Sequence, residues 1–168
     1  KVGQASSPVP GALVCEYDFE NRLTHATTAD GKTIDLAYDG DGHRVSKTVT
    51  TPTNTVTTLY VVDDLNSTGY SQVLEELTTD HSSLVTPEVT RVLTWGHTLL
   101  AQDQFNGTAW TESYYGYDGH NNVRYLTDAL GQVTDTYDYD AFGNLISQNS
   151  LSSLPTPNSY LYAGEPFD

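Results

Sequence analysis

Short blocks of alternating apolar and polar residues, each closed by turn formers, run along the chain from Val14 onward. The period of two predicts half-buried strands. They are expected at Val14–Leu23, Thr33–Tyr38, Arg44–Thr50, Val56–Val62, Ser71–Leu77 and Glu88–Trp95. Further strands are expected at Leu99–Phe105, Trp110–Tyr117, Val123–Thr127, Gln132–Tyr139, Leu145–Gln148 and Ser159–Tyr162. Between blocks stand Asp30-Gly31, Asn106-Gly107 and Leu130-Gly131, where glycine takes positive φ at little cost. Pro52 and Pro87 interrupt the ladder. No segment carries a sustained helical period with caps, so the pattern predicts an all-β, antiparallel meander of hairpins. Residues 1–13 read as an extended leader or linker. Residues 14–168 read as one β domain, with 149–158 a Pro/Ser-rich loop.

One dipeptide recurs at the strand ends. Tyr17-Asp18, Tyr38-Asp39, Tyr117-Asp118 and Tyr137-Asp138-Tyr139-Asp140 are each followed by Asn, Gly or Arg and a restarting strand. A period near twenty residues marks one hairpin-sized unit used repeatedly. Tyr137 and Tyr139 fall on one face and Asp138 and Asp140 on the other. The Tyr rings are expected to bury, and the Asp carboxylates to accept backbone N–H groups as strand becomes turn.

These repeats resemble the YD repeats of the Rhs family, shared with teneurins and the C components of insecticidal toxin complexes. The likeness extends through Thr68-Gly69-Tyr70-Ser71-Gln72, Tyr114-Tyr115-Gly116-Tyr117-Asp118-Gly119, Tyr139-Asp140-Ala141-Phe142-Gly143-Asn144-Leu145 and Tyr160-Leu161-Tyr162-Ala163-Gly164-Glu165. The resemblance implies a curved or spiralling sheet, part of a hollow shell that in toxin members encloses a C-terminal cargo. It also implies that Phe167-Asp168 lies just before the family's terminal core segment and its aspartate-dependent cleavage motif. The chain starts at Lys1 without Met, as a processed or excised chain does.

Charge narrows the partners. The 22 acidic residues against 7 basic ones give a net charge of −15, a field that repels phosphate backbones and argues against nucleic acid. No apolar stretch approaches the ~20 residues that span a bilayer. The single Cys15 excludes an internal disulfide and reads as a strand thiol.

Candidate chemistry is sparse. His25, His43, His81, His97 and His120 lack paired-ligand spacing. Asp39-Gly40-Asp41-Gly42-His43 starts like a calcium loop but lacks its distal Glu, and Asp63-Asp64 reads as an acidic loop. Glu75-Glu76 would point to opposite faces. No catalytic residue, metal ligand or cofactor site is assigned. The sequons at Asn66 and Asn106 nominate two glycosylation acceptors. The expected role is therefore non-enzymatic: a structural repeat module of an extracellular or cell-surface protein, self-assembling through strand edges into a fibre. Tyr17, Asp18, Tyr38, Asp39, Tyr117, Asp118, Tyr137, Asp138, Tyr139, Asp140 and Gly143 are its structural positions. The alternatives are a module binding a protein or a glycan, and a shell fragment of a polymorphic toxin.

Overall fold

The computed structural model describes residues 13–80, 86–152 and 154–165. Twelve strands follow in chain order: β1 (Val14–Tyr17), β2 (Leu23–Thr27), β3 (Thr33–Tyr38), β4 (Arg44–Thr50), β5 (Thr55–Asp63) and β6 (Gln72–Asp80). Then come β7 (Glu88–Trp95), β8 (Leu99–Phe105), β9 (Trp110–Tyr117), β10 (Val123–Thr127), β11 (Val133–Tyr139) and β12 (Leu145–Ser150). They form one open antiparallel sheet whose spatial order is the chain order. No α-helix occurs among the described residues; a 3-10 turn spans Tyr162–Gly164. The all-β meander is thus the observed fold. The expected leader lies outside the described residues except for Leu13.

Three expectations are corrected. Val14–Leu23 is not one strand: the chain reverses at Asp18–Arg22, and β2 begins at Leu23. Asn21 takes φ 64° there, which an Asn tolerates better than most residues. Ser159–Tyr162 is no strand either, because Tyr160 makes only an isolated bridge before the 3-10 turn. β12 also extends to Ser150, into the span expected as loop.

The chain divides into two units, Lys1–Val62 with Leu77–Glu88, and Asp63–Glu76 with Val89–Asp168. In the first unit Ala26 is the one fully buried apolar residue among those described. Its strands are held by the ladder and by surface pairs such as Thr48 Oγ1 to Thr57 Oγ1 at 2.8 Å. The second unit has a core. Leu93, Leu99 and Tyr160 form one cluster, and Val123, Leu126 and Tyr137 another, with Tyr115 packed against both. Strand alternation explains the segregation: Arg91, Leu93 and Trp95 face the same side as their partners Gln104, Gln102 and Leu99. Residues 154–161 lie over that side.

Candidate functional site

The Tyr-Asp corners share one geometry. Asp18 Oδ1 accepts the N–H groups of Glu20 and Arg22, both at 2.9 Å, and Asp39 Oδ1 those of Asp41 and His43 at 3.0 and 2.9 Å. Asp118 does the same for His120 and Asn122, at 2.9 and 3.0 Å, and Asp140 for Phe142 and Asn144, at 2.8 and 2.9 Å. Each Oδ2 then meets the side chain four residues on: Arg22 Nε at 2.7 Å, His43 Nδ1 at 3.3 Å, Asn122 Nδ2 at 3.0 Å and Asn144 Nδ2 at 2.8 Å. The third residue after each Asp has positive φ, as Asn21, Gly42, Asn121 or Gly143. The preceding Tyr sits at a register shift, paired with Leu23, Arg44, Val123 or Leu145. This is a three-residue hairpin loop closed by a bulge.

These bonds hold the corner carboxylates below their ordinary range. For Asp118 and Asp140 the side-chain amide of Asn122 or Asn144 is the largest cause, followed by the backbone donors. For Asp18 and Asp39 the backbone N–H of Arg22 or His43 leads.

The rings link one corner to another. The Tyr38 hydroxyl donates to the Leu23 carbonyl at 2.8 Å, and that of Tyr117 to the Leu99 carbonyl at 2.7 Å. Arg22 stacks over Tyr38 at 5.0 Å, Arg44 over Tyr60 at 5.2 Å and Arg124 over Tyr139 at 6.0 Å. Burial pushes the Tyr117 and Tyr139 hydroxyls up to about 12.

Not every expected position serves alike. Tyr17 is 57% exposed, so its ring is not the buried one expected: it sits on the edge strand β1, whose one strand neighbour among the described residues is β2. In the doubled motif only Tyr139-Asp140 makes a corner. Tyr137 is core, while Asp138 stays on the open face, bonded to Arg124 at 2.5 Å and Ser147 at 2.8 Å. Asp128, not singled out from sequence, caps Leu130 and Gln132 in the same way, both at 2.9 Å.

The covered side of the second unit holds a polar network that sequence reading missed. Arg91 is buried and donates to Glu76 at 3.1 Å, Ser159 at 3.0 Å and Thr156 at 2.6 Å. Thr156 gives its N–H and hydroxyl to Gln104 Oε1, at 3.1 and 2.8 Å. The Tyr115 hydroxyl donates to Asn158 Oδ1 at 2.8 Å, and the Ala163 N–H to Asn122 Oδ1 at 3.0 Å. A chain segment is thus recognised by a sheet face through side chains, with Trp95 and Tyr160 in edge contact at 5.7 Å.

The two sequons differ. Asn66 Nδ2 donates to the carbonyls of Asp63 and Tyr70 at 3.0 and 2.7 Å, so the atom that a glycan would take is already engaged. Asn106 is exposed and uses its Oδ1 alone, accepting from Thr108 and Ala109, both at 2.9 Å. His81 lies outside the described residues. His25 bridges Asp35 at 2.7 Å and Thr27 at 3.1 Å on the sheet surface, and Cys15 is half-buried. Asp63 and His97 line a pocket of about 450 Å³ with Gln72 and Trp95. Its polar atoms are largely spent internally: Trp95 Nε1 donates to the Val73 carbonyl at 2.7 Å, and Asp63 Oδ1 accepts from Leu65 at 3.0 Å. No group of three or more metal-ligating side chains occurs among the described residues.

A family model described as RHS Repeat matches residues 117–150, which span the Tyr117 and Tyr139 corners. The chain is 32% identical over 163 residues to the tRNA3(Ser)-specific nuclease WapA of Bacillus spizizenii, covering 94% of this chain and 6% of that protein. It is 31% identical over 161 residues to the tRNA nuclease WapA of Bacillus subtilis, with the same shares. Among solved structures, TcdB2-TccC3-Cdc42 superposes with a TM-score of 0.68 at 16% identity, over 93% of this chain and 8% of that one. TcdB2-TccC3 gives the same score at 15% identity. The structural likeness concerns the fold. The matched span is a small fraction of each much larger protein.

Proposed function

The chain belongs to the YD-repeat, or Rhs, family, and from that premise we propose that it acts as architecture: a non-enzymatic length of β-ribbon in an extracellular or cell-surface protein. The observation that carries this reading is where the carboxylates go. Asp18, Asp39, Asp118 and Asp140 each turn both oxygens to closing a corner. Those bonds hold the ionised form, which suits them to bracing a turn and not to giving or taking a proton near neutral pH. Nuclease activity is named for relatives of which this span matches 6%. In our reading that activity resides elsewhere in such proteins, and the span supplies wall.

The ribbon's edges are its junctions. Among the described residues β1 pairs only with β2, and β12 only with β11. β12 is exposed along its whole length and carries Ile146 at 67% exposure. Such an edge accepts a further strand. The strand added is that of a neighbouring copy, giving a filament. A seated segment on the covered face also supports the enclosing version of the same role, in which the face holds a length of polypeptide. Sedimentation and electron microscopy of the purified chain test the assembly. Concentration-dependent filaments that vanish in Ile146→Pro support it; a monomer at every concentration ends it. Hydrolysis of tRNA by the purified chain would end the non-enzymatic reading.

A further inference from the structure

The open face of β8 and β9 carries a grouping of rings and carboxylates that Arg22 and Arg124 complete elsewhere and that no Arg or Lys of β8 or β9 completes here. Asp103 and Glu112 lie directly opposite each other across the two strands. Like charges in that position repel. Phe105 and Trp110 form the next cross-strand pair on the same face, with ring centroids 5.2 Å apart, and Tyr114 faces Ala101 on the other flank. Tyr125 lies over Gly116, so close that a Cβ there would fall 2.2 Å from its ring. Trp110, Tyr114 and Tyr125 are 48%, 40% and 41% exposed, large values for rings gathered on one face. Along β9 the strip from Trp110 to Gly116 spans about 20 Å, a fitting length for an extended segment.

Elsewhere this chain joins rings and carboxylates through a guanidinium. Arg22 stacks over Tyr38 while binding Asp18 at 2.7 Å, and Arg124 over Tyr139 while binding Asp138 at 2.5 Å. Neither β8 nor β9 contains a basic residue. The whole second unit has only Arg91, which is buried under residues 156–159, and Arg124, which serves Asp138. Glu112 Oε1 accepts from the Tyr114 hydroxyl at 2.5 Å, but among the described residues no cation meets either carboxylate, and the carboxyl of Asp103 is pushed up by burial and then by Glu112.

We propose that the open face of β8 and β9 is a docking surface for a cationic segment of a partner protein. Its Arg or Lys side chains lie between the Asp103–Glu112 pair and the Trp110 and Tyr114 rings, gaining both ion pairing and cation–π contact. A second copy of this chain is a poor occupant, since it brings a net charge of −15. The surface is independent of filament formation, and loss of the edge junctions leaves it intact.

The test is calorimetric titration of the full chain with a short peptide of alternating Arg and Thr, alongside its Glu-for-Arg counterpart and a neutral oligosaccharide. Saturable binding of the Arg peptide alone is expected. It should weaken about tenfold or more in Asp103→Asn/Glu112→Gln and in Trp110→Ala, and should also weaken with added salt. The double variant removes repulsion and should melt at a higher temperature than the parent, so its lost binding cannot be blamed on unfolding. Equal binding by parent and double variant would reveal general attraction to an acidic chain and overturn the proposal. So would no binding at all, or oligosaccharide binding that the neutralised pair leaves unchanged.

Discussion

Gly131 and Gly143 occupy equivalent corner positions, with φ of +76° and +87°. Their surroundings differ. A Cβ at Gly131 would meet nothing within 4 Å, whereas one at Gly143 would fall 2.7 Å from the Tyr162 ring, which itself packs edge-on against Tyr139 at 5.6 Å. Gly131→Ala should therefore cost only the left-handed penalty, about 1 kcal/mol. Gly143→Ala adds overpacking, for a total of roughly 2–4 kcal/mol by the same reckoning. Urea denaturation of the two variants decides it; equal losses would mean that Tyr162 yields freely. The corner carboxylates make a second residue-scale prediction, in pH. Asp18, Asp39, Asp118 and Asp140 are all lowered from 3.8 in the folded chain, so the unfolded chain binds more protons in the acid range. Their stabilisation is complete above the unfolded carboxylate value. It disappears as pH falls through that value toward the folded ones. Asp118→Asn/Asp140→Asn keeps an acceptor oxygen at each corner and removes the charge. It should flatten the acid limb of a melting-temperature profile below about pH 4, and an unchanged limb would refute the assignment.

Between elements, Arg91 ties β7 to residues 156–159 and to Glu76 on β6. Removing a buried partner leaves the other groups desolvated and unpaired, so Arg91→Ala should cost about 3–5 kcal/mol. It should also speed hydrogen exchange and protease cleavage across 154–161 more than elsewhere. A uniform acceleration would show that the segment is held by its rings, Tyr160 above all, rather than by this side chain. The strands and corners were legible because a period of two and an Asp followed by a positive-φ residue are local signals. The β1–β2 reversal escaped because none of Asp18 to Arg22 is Gly, whereas the Tyr117 corner, whose left-handed residue is likewise an Asn, carries Gly119 in its loop. Tyr, Asp and Asn stand at the same offsets in Tyr17-Asp18-Phe19-Glu20-Asn21 and Tyr117-Asp118-Gly119-His120-Asn121. Arg91 left a fainter trace, a charged residue at an inward position between Val89 and Leu93. The seating of residues 156–163 left none: its bonds join residues 41 to 68 positions apart, and nothing local in Thr156 or Asn158 names Gln104 or Tyr115 as the partner.

For the molecule as a whole, the net charge of −15 acts on its two proposed associations in opposite directions. Edge pairing between copies brings like charges together, so copies repel until salt screens them. The screening length falls from ~30 Å at 0.01 M to ~8 Å at 0.15 M salt. Docking of a cationic segment is favoured by the same field and is weakened by the same screening. Raising salt should therefore increase the sedimentation coefficient of the isolated chain while loosening its hold on an Arg-containing peptide. The two slopes separate the mechanisms without any substitution. If association between copies fell with salt, charge pairing rather than backbone pairing would be joining them, and β12 would not be the junction. If it did not respond and the chain stayed monomeric, the edge strand would be closed in this chain by its own exposed polar side chains, Gln148 and Asn149 among them, and the ribbon would act as a single length of wall.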